Sequence, residues 1–143
     1  MKYFLKLNVV SILYALIIFV PIQLMGNVYR ITRLTNWEMG KVNILTGLTI
    51  IIGIIGGTIL IHSLTKKWLE GKKANFWTVI LWIPYFVLFI YVIASLFPIT
   101  NGGDAPNPVT GLLVLGGLII YPLYILIINI SGMADDDETI KTI

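Results

Sequence analysis

Residues 44–64 read "ILTGLTIIIGIIGGTILIHSL" and contain no Asp, Glu, Lys or Arg. Isoleucine, leucine and glycine recur without the alternation of a half-buried strand. Nor is there the polar stripe that marks a helix on a soluble surface. At a rise of about 1.5 Å per residue, a helix of about 20 such residues crosses roughly 30 Å of hydrocarbon. Three more stretches have this character, residues 7–25, 77–97 and 111–130. Lipid offers no partner for a free backbone N–H or C=O, so each is expected as helix, and the missing alternation argues against a membrane barrel. The expected fold is an all-α integral membrane protein, a single membrane domain over residues 1–143 built as a four-transmembrane-helix bundle.

The composition agrees. The chain is 57% hydrophobic and 12% charged, against about 25% charged in a typical soluble domain. It contains no Cys, which excludes disulfides, thiolate nucleophiles and cysteine metal sites. Its basic residues cluster at the edges of the apolar runs, where they read as anchors rather than as a phosphate-binding stripe, so no nucleic-acid partner is expected. Lys2 and Lys6 precede the first run as they would in a signal peptide. However, "PIQLMGN" at 21–27 offers no small-residue cleavage site, and the run is expected to remain as a span.

Between the last two runs lies "PITNGGDAPNPVTGL", residues 98–112, with one acid, Asp104, and no basic residue. Four crossings put both termini on one side. That side holds Lys2, Lys6, Lys66, Lys67, Lys72, Lys73 and Lys141, and the other holds Arg30, Arg33 and Lys41. Basic loops stay in the cytoplasm, so both termini are expected inside a cell membrane and the 98–112 loop outside. Trp68, Phe76 and Trp77 flank the Lys-rich loop and Trp37 lies in the opposite one, as suits rings that favour the headgroup boundary. The Ile- and Lys-rich bias hints at a bacterial source.

"NILTGL" at 43–48 returns as "NPVTGL" at 107–112, and at the same offset Gly53 meets Gly117 and Ile61 meets Ile125. One reading is two tandem two-helix hairpins related by an axis along the membrane normal. The plainer one is chance similarity among Ile/Leu-rich helices that share an Asn or Thr start signal.

Two groups of residues stand out as candidates. Gly53, Gly56, Gly57, Gly116 and Gly117 give helix faces on which backbones can approach closely, either within the chain or against a membrane protein partner or a second copy. Pro84 and Pro122 interrupt their helices and free the carbonyls of Ile80 and Leu118, with Tyr85, Tyr121 and Tyr124 nearby. These kinks and tyrosines suggest a small polar pocket in the inner half of the bundle. The simpler expectation is that the hydroxyls bond the freed carbonyls.

Val28, Ile31, Leu34 and Trp37 recur every three residues with Arg30 and Arg33 between them. This pattern fits a short amphipathic helix in the headgroup layer, a solvated loop, or a continuation of the first helix. The lone His62 reads as an interfacial polar residue, not a metal ligand. Residues 134–143, "ADDDETIKTI", form an acidic cytoplasmic tail that is expected to be solvated and does not fit a calcium loop.

Ser11, Ser63 and Ser95 have no base beside them, and the acids of the outer loops are Glu38 and Asp104 alone. No catalytic residue, cofactor or metal is expected, and the chain does not read as an enzyme. No Asp, Glu, Lys or Arg lies in a span, so ion-coupled transport lacks its usual groups. What remains is action by helix–helix contact, as an accessory or regulatory subunit or an immunity-type protector, with the lipid bilayer as surroundings. The alternative is an oligomeric pore or small uncoupled transporter, for which Thr46, Thr49, Thr58 and Asn129 make a sparse lining.

Overall fold

The computed structural model describes residues 2–70 and 72–141, with side chains through residue 133. Five α-helices follow in order: α1 Lys2–Gly26, α2 Val28–Thr35, α3 Met39–Leu69, α4 Thr78–Leu96 and α5 Pro108–Lys141. Short 3₁₀ turns at Lys73–Trp77 and Gly102–Asp104 complete the order, and there is no strand among the described residues. Four stretches are long and apolar enough to cross a membrane, Lys2–Gly26, Met39–Leu69, Lys73–Leu96 and Pro108–Met133. Three of them contain the expected spans whole, and Lys73–Leu96 ends one residue short of the expected 97.

Three of the helices, α1, α3 and α5, overrun their expected spans because nothing stops them at the hydrocarbon edge. With 31 residues, α3 is about 46 Å long, half as long again as the layer it crosses. Its last turn carries Lys66 and Lys67, cations placed where the helix dipole is negative. The helix ends at Glu70 with a left-handed φ of 51°. The helical backbone of α5 continues to Lys141, while the side chains of the acidic tail, 134–143, lie outside the described residues.

Antiparallel to α3 and parallel to α4, α1 packs along both, and α5 packs along α3. Although consecutive, α3 and α4 barely touch, so the order around the bundle is α1, α3, α5, α4. The most enclosed helix is α1, with 28% of its apolar window buried against 6% for the span that includes α4. Leu7, Val10, Tyr14 and Ile18 recur every three or four residues and so share one face of α1. They meet Ile61, Trp82, Ile125 and Ile128 from the other three helices. Ile52, Ile59, Val87 and Ile119 point outward, an arrangement that lipid tolerates and water would not.

The two hairpins of the sequence echo are packed differently. α1 lies along α3 over much of its length, whereas α4 and α5 meet sparsely. The shared start signal also works at only one site. Asn107 caps α5, its Oδ1 accepting the Thr110 amide at 2.9 Å, while Asn43 lies inside α3, which begins at Met39.

The first connection is a separate amphipathic helix, α2, set off from α1 at Asn27, whose φ of −110° and ψ of 11° interrupt the helix. Arg33 clamps Asp104 with two bonds, Nε to Oδ1 at 2.8 Å and Nη2 to Oδ2 at 2.7 Å. Arg30 donates to the carbonyls of Phe97 and Pro98 at 3.1 and 2.8 Å, with Nε 3.6 Å from Asp104. Asp104 is 3% exposed. The acid of the base-free loop is thus paired with the arginines of α2. Glu38, the other outer acid of the sequence reading, is exposed.

Candidate functional site

The tyrosine and proline candidates separate into two places. Tyr121 and Tyr124, one turn apart on α5, stack at 5.3 Å with 21° between their planes. Tyr14 meets Tyr124 edge-on at 6.3 Å, and Trp82 meets Tyr121 edge-on at 4.9 Å. This aromatic cluster joins α1, α4 and α5 at the middle of the bundle. Tyr85 lies elsewhere, and its hydroxyl donates to Oδ1 of Asn8 at 2.5 Å. Pro84 is exposed on α4 and Pro122 is half-buried on α5.

The hydroxyls do not use the carbonyls freed by the prolines. Tyr121 donates to the Tyr14 carbonyl of α1 at 2.5 Å, and Tyr124 pairs with the Thr58 hydroxyl of α3 at 2.7 Å. Each tyrosine links its helix to another, so neither sequence expectation describes them. A hydroxyl on a long ring reaches across a helix interface more readily than back along its own turn.

The pocket also differs from expectation. A cleft of about 360 Å³ lies between α1, α3 and α5, and Tyr121 and Tyr124 form its floor. Its other lining is apolar, including Pro21, Ile54, Val114 and Gly117. It occupies the half of the bundle nearer α2, not the Lys-rich half. The polar recess of the Lys-rich half is a separate groove of about 550 Å³ between α3 and α5, lined by Thr58, His62, Ser63, Lys66 and Ser131 among others. His62 Nε2 and the Ser131 hydroxyl are 3.2 Å apart there.

Of the candidate glycines, Gly57 alone is closely packed within the chain. A Cβ there would lie 2.6 Å from Ile17 Cδ1 and 2.7 Å from Cγ1. A Cβ at Gly53, Gly56, Gly116 or Gly117 would meet nothing within 4 Å. Gly117 instead lines the apolar cleft, and Gly53 lines a smaller one of about 200 Å³ between α1 and α3. Sequence reasoning missed the second close approach, Gly132, whose Cβ would lie 3.0 Å from Thr65 Cγ2.

It also missed a buried polar cluster at the Lys-rich end. The Tyr3 hydroxyl donates to Asn75 Oδ1 at 2.7 Å. Thr78 donates to the Asn75 carbonyl at 2.7 Å. Asn129 donates to Thr78 Oγ1 at 2.9 Å and to the same carbonyl at 3.3 Å. Asn75, Thr78 and Asn129 are fully buried. The sequence signal was available, since an amide such as Asn8 or Asn129 in an apolar helix needs an interhelical partner in lipid. What could not be read was which partner.

These features hold helices together and present clefts. The described residues include no group of three or more His, Asp or Glu side chains placed to hold a metal ion. Compared with protein families, with curated proteins and with solved structures, the chain shows no significant match.

Proposed function

We propose that this is a small multi-pass protein of a bacterial cell membrane, with both termini cytoplasmic, that works by lateral contact with another membrane protein as an accessory or regulatory subunit or a protector. The glycines carry this reading. Gly57 and Gly132 are occupied by packing within the chain, while Gly53, Gly56 and Gly116 leave open surface on α3 and α5. In lipid, association depends on close van der Waals approach, which such surfaces permit. The side with the Lys-rich loop is cytoplasmic by the positive-inside rule.

The test is photo-crosslinking in native membranes from a benzophenone side chain at Gly56 or Gly116, followed by mass spectrometry. The expected result is one discrete protein adduct, either a partner or a second copy. Lipid adducts alone would remove the contact reading. Ion flux through vesicles holding the purified chain would instead favour the pore.

A further inference from the structure

We infer that the acidic tail docks on its own chain: the turn of α5 beyond Met133 brings Asp135 to Lys66 and Asp136 to Lys67, and so withholds these lysines from anionic lipid headgroups. The inference stands apart from the contact reading, because it concerns the Lys-rich end of the molecule rather than the open glycine surfaces.

The register of two helices carries it. α3 and α5 run parallel, and their cross-helix pairs advance together along both. Thr58 pairs with Tyr124, 66 positions on, and His62 with Ser131, 69 positions on. Further along, a Cβ at Gly132 would lie 3.0 Å from Thr65 Cγ2 and 3.9 Å from the Lys66 amide nitrogen. The α5 backbone is therefore still against α3 where α3 carries Lys66. Advanced by one turn, the pairing of His62 with Ser131 becomes that of Lys66 with Asp135, and the next position sets Lys67 level with Asp136. Asp135 and Asp136 also follow Gly132 by three and four residues, so they fall on the face of α5 that meets α3. Both helices reach this level, since the helical backbone of α5 continues to Lys141 and α3 runs to Leu69.

Charge agrees with register. Asp135, Asp136, Asp137 and Glu138 follow one another directly, and such a run repels itself unless cations stand beside it. Lys66 and Lys67 close the last turn of α3. The other acid at this end, Glu70, reaches Lys72 instead, at 2.8 Å. Lysines at a membrane edge also draw anionic headgroups. A headgroup must be captured from the bulk lipid, whereas the tail is tethered one turn away and acts at a high effective concentration.

Native side chains report the contact. A water-soluble carbodiimide condenses a carboxylate with an amine that touches it, with loss of water and no spacer. The purified chain is treated in phosphatidylcholine vesicles, and its digest is read by mass spectrometry. Docking predicts amide bonds from Asp135 and Asp136 to Lys66 and Lys67, roughly threefold or more above those to Lys2, Lys6 or Lys73, because a loose tether samples all five alike. Equal yields at all five lysines would overturn the proposal. Adding phosphatidylglycerol should leave the yield at Lys66 and Lys67 unchanged, and its loss would make a lipid headgroup the occupant. With isotope-labelled and unlabelled chains mixed, bonds between the two kinds would also overturn it, since the tail would then dock on a second copy. The chain has no Cys, so disulfide formation gives an independent reading. With Lys66→Cys, oxidation should couple Asp135→Cys roughly threefold or more faster than Asp137→Cys, which is turned about 200° away around the helix. Equal rates at the two positions would overturn the docking even where carbodiimide bonds form.

Discussion

A methyl group added at Gly57 would lie 2.6 Å from Ile17 Cδ1 and 2.7 Å from Cγ1, so Ile17 or the α1–α3 spacing has to give. Gly57→Ala is expected to cost about 1–3 kcal/mol in a detergent unfolding titration, the usual range for overpacking a filled interface. Ile17→Ala in the same chain should restore part of it, a coupling that the double-mutant cycle measures. Gly53→Ala and Gly56→Ala, built into open space, should stay within about 0.5 kcal/mol of the parent. At the tyrosines, Tyr121→Phe removes one interhelical hydrogen bond and should cost about 0.6 kcal/mol, and at most about 1.7, by the same titration. The sequence makes the glycines visible as a class. It does not distinguish Gly57 from Gly56, because neighbours on a helix face different ways and the rotation of α3 is fixed only by what packs on it.

Among the elements, the spans were legible because lipid imposes a simple rule on uncharged runs. Their ends were not, because in the headgroup layer a helix can continue or stop at little cost, and α3 continues by about a turn at each end. The period of three in Val28, Ile31 and Leu34 was enough to suggest α2. Its union with the 97–107 connection was hidden, because it joins residues about 70 apart through Arg33 and Asp104. Hydrogen bonding from Arg33, with the charges of both arginines, holds the Asp104 carboxyl below the usual carboxylate range. A lowered value means that the clamp stabilises fully above the ordinary carboxylate pKa and is lost as pH falls through the lowered one. Protection of the Gly103 and Asp104 amides, the exchange rate relative to that of an unstructured chain at the same pH, should therefore be high at neutral pH and fall in strong acid. Asp104→Asn should show the low protection already at neutral pH, and unchanged protection in that variant would refute the clamp.

For the molecule as a whole, the order α1, α3, α5, α4 could not be read from four helices that are apolar on every face. Hydrophobic periodicity, which orients a soluble helix, is nearly silent when lipid and core are equally oily. The polar exceptions place the helices instead, with Tyr3, Asn8 and Tyr121 tying α1 to the Lys73–Trp77 turn, α4 and α5. A phosphatase fusion placed in the 98–107 loop is expected to be active outside the cell, and one after residue 143 inactive. The reverse pattern would invert the proposed orientation. The central place of α1 has a consequence for biogenesis. It is the first of the four spans to leave the ribosome, yet Asn8 must wait for Tyr85 and Tyr3 for Asn75. The nascent helix therefore carries unmet polar groups until more than half of the chain has been translated. A truncation after α3 should consequently be held by the insertion machinery or degraded rather than accumulate as a stable hairpin.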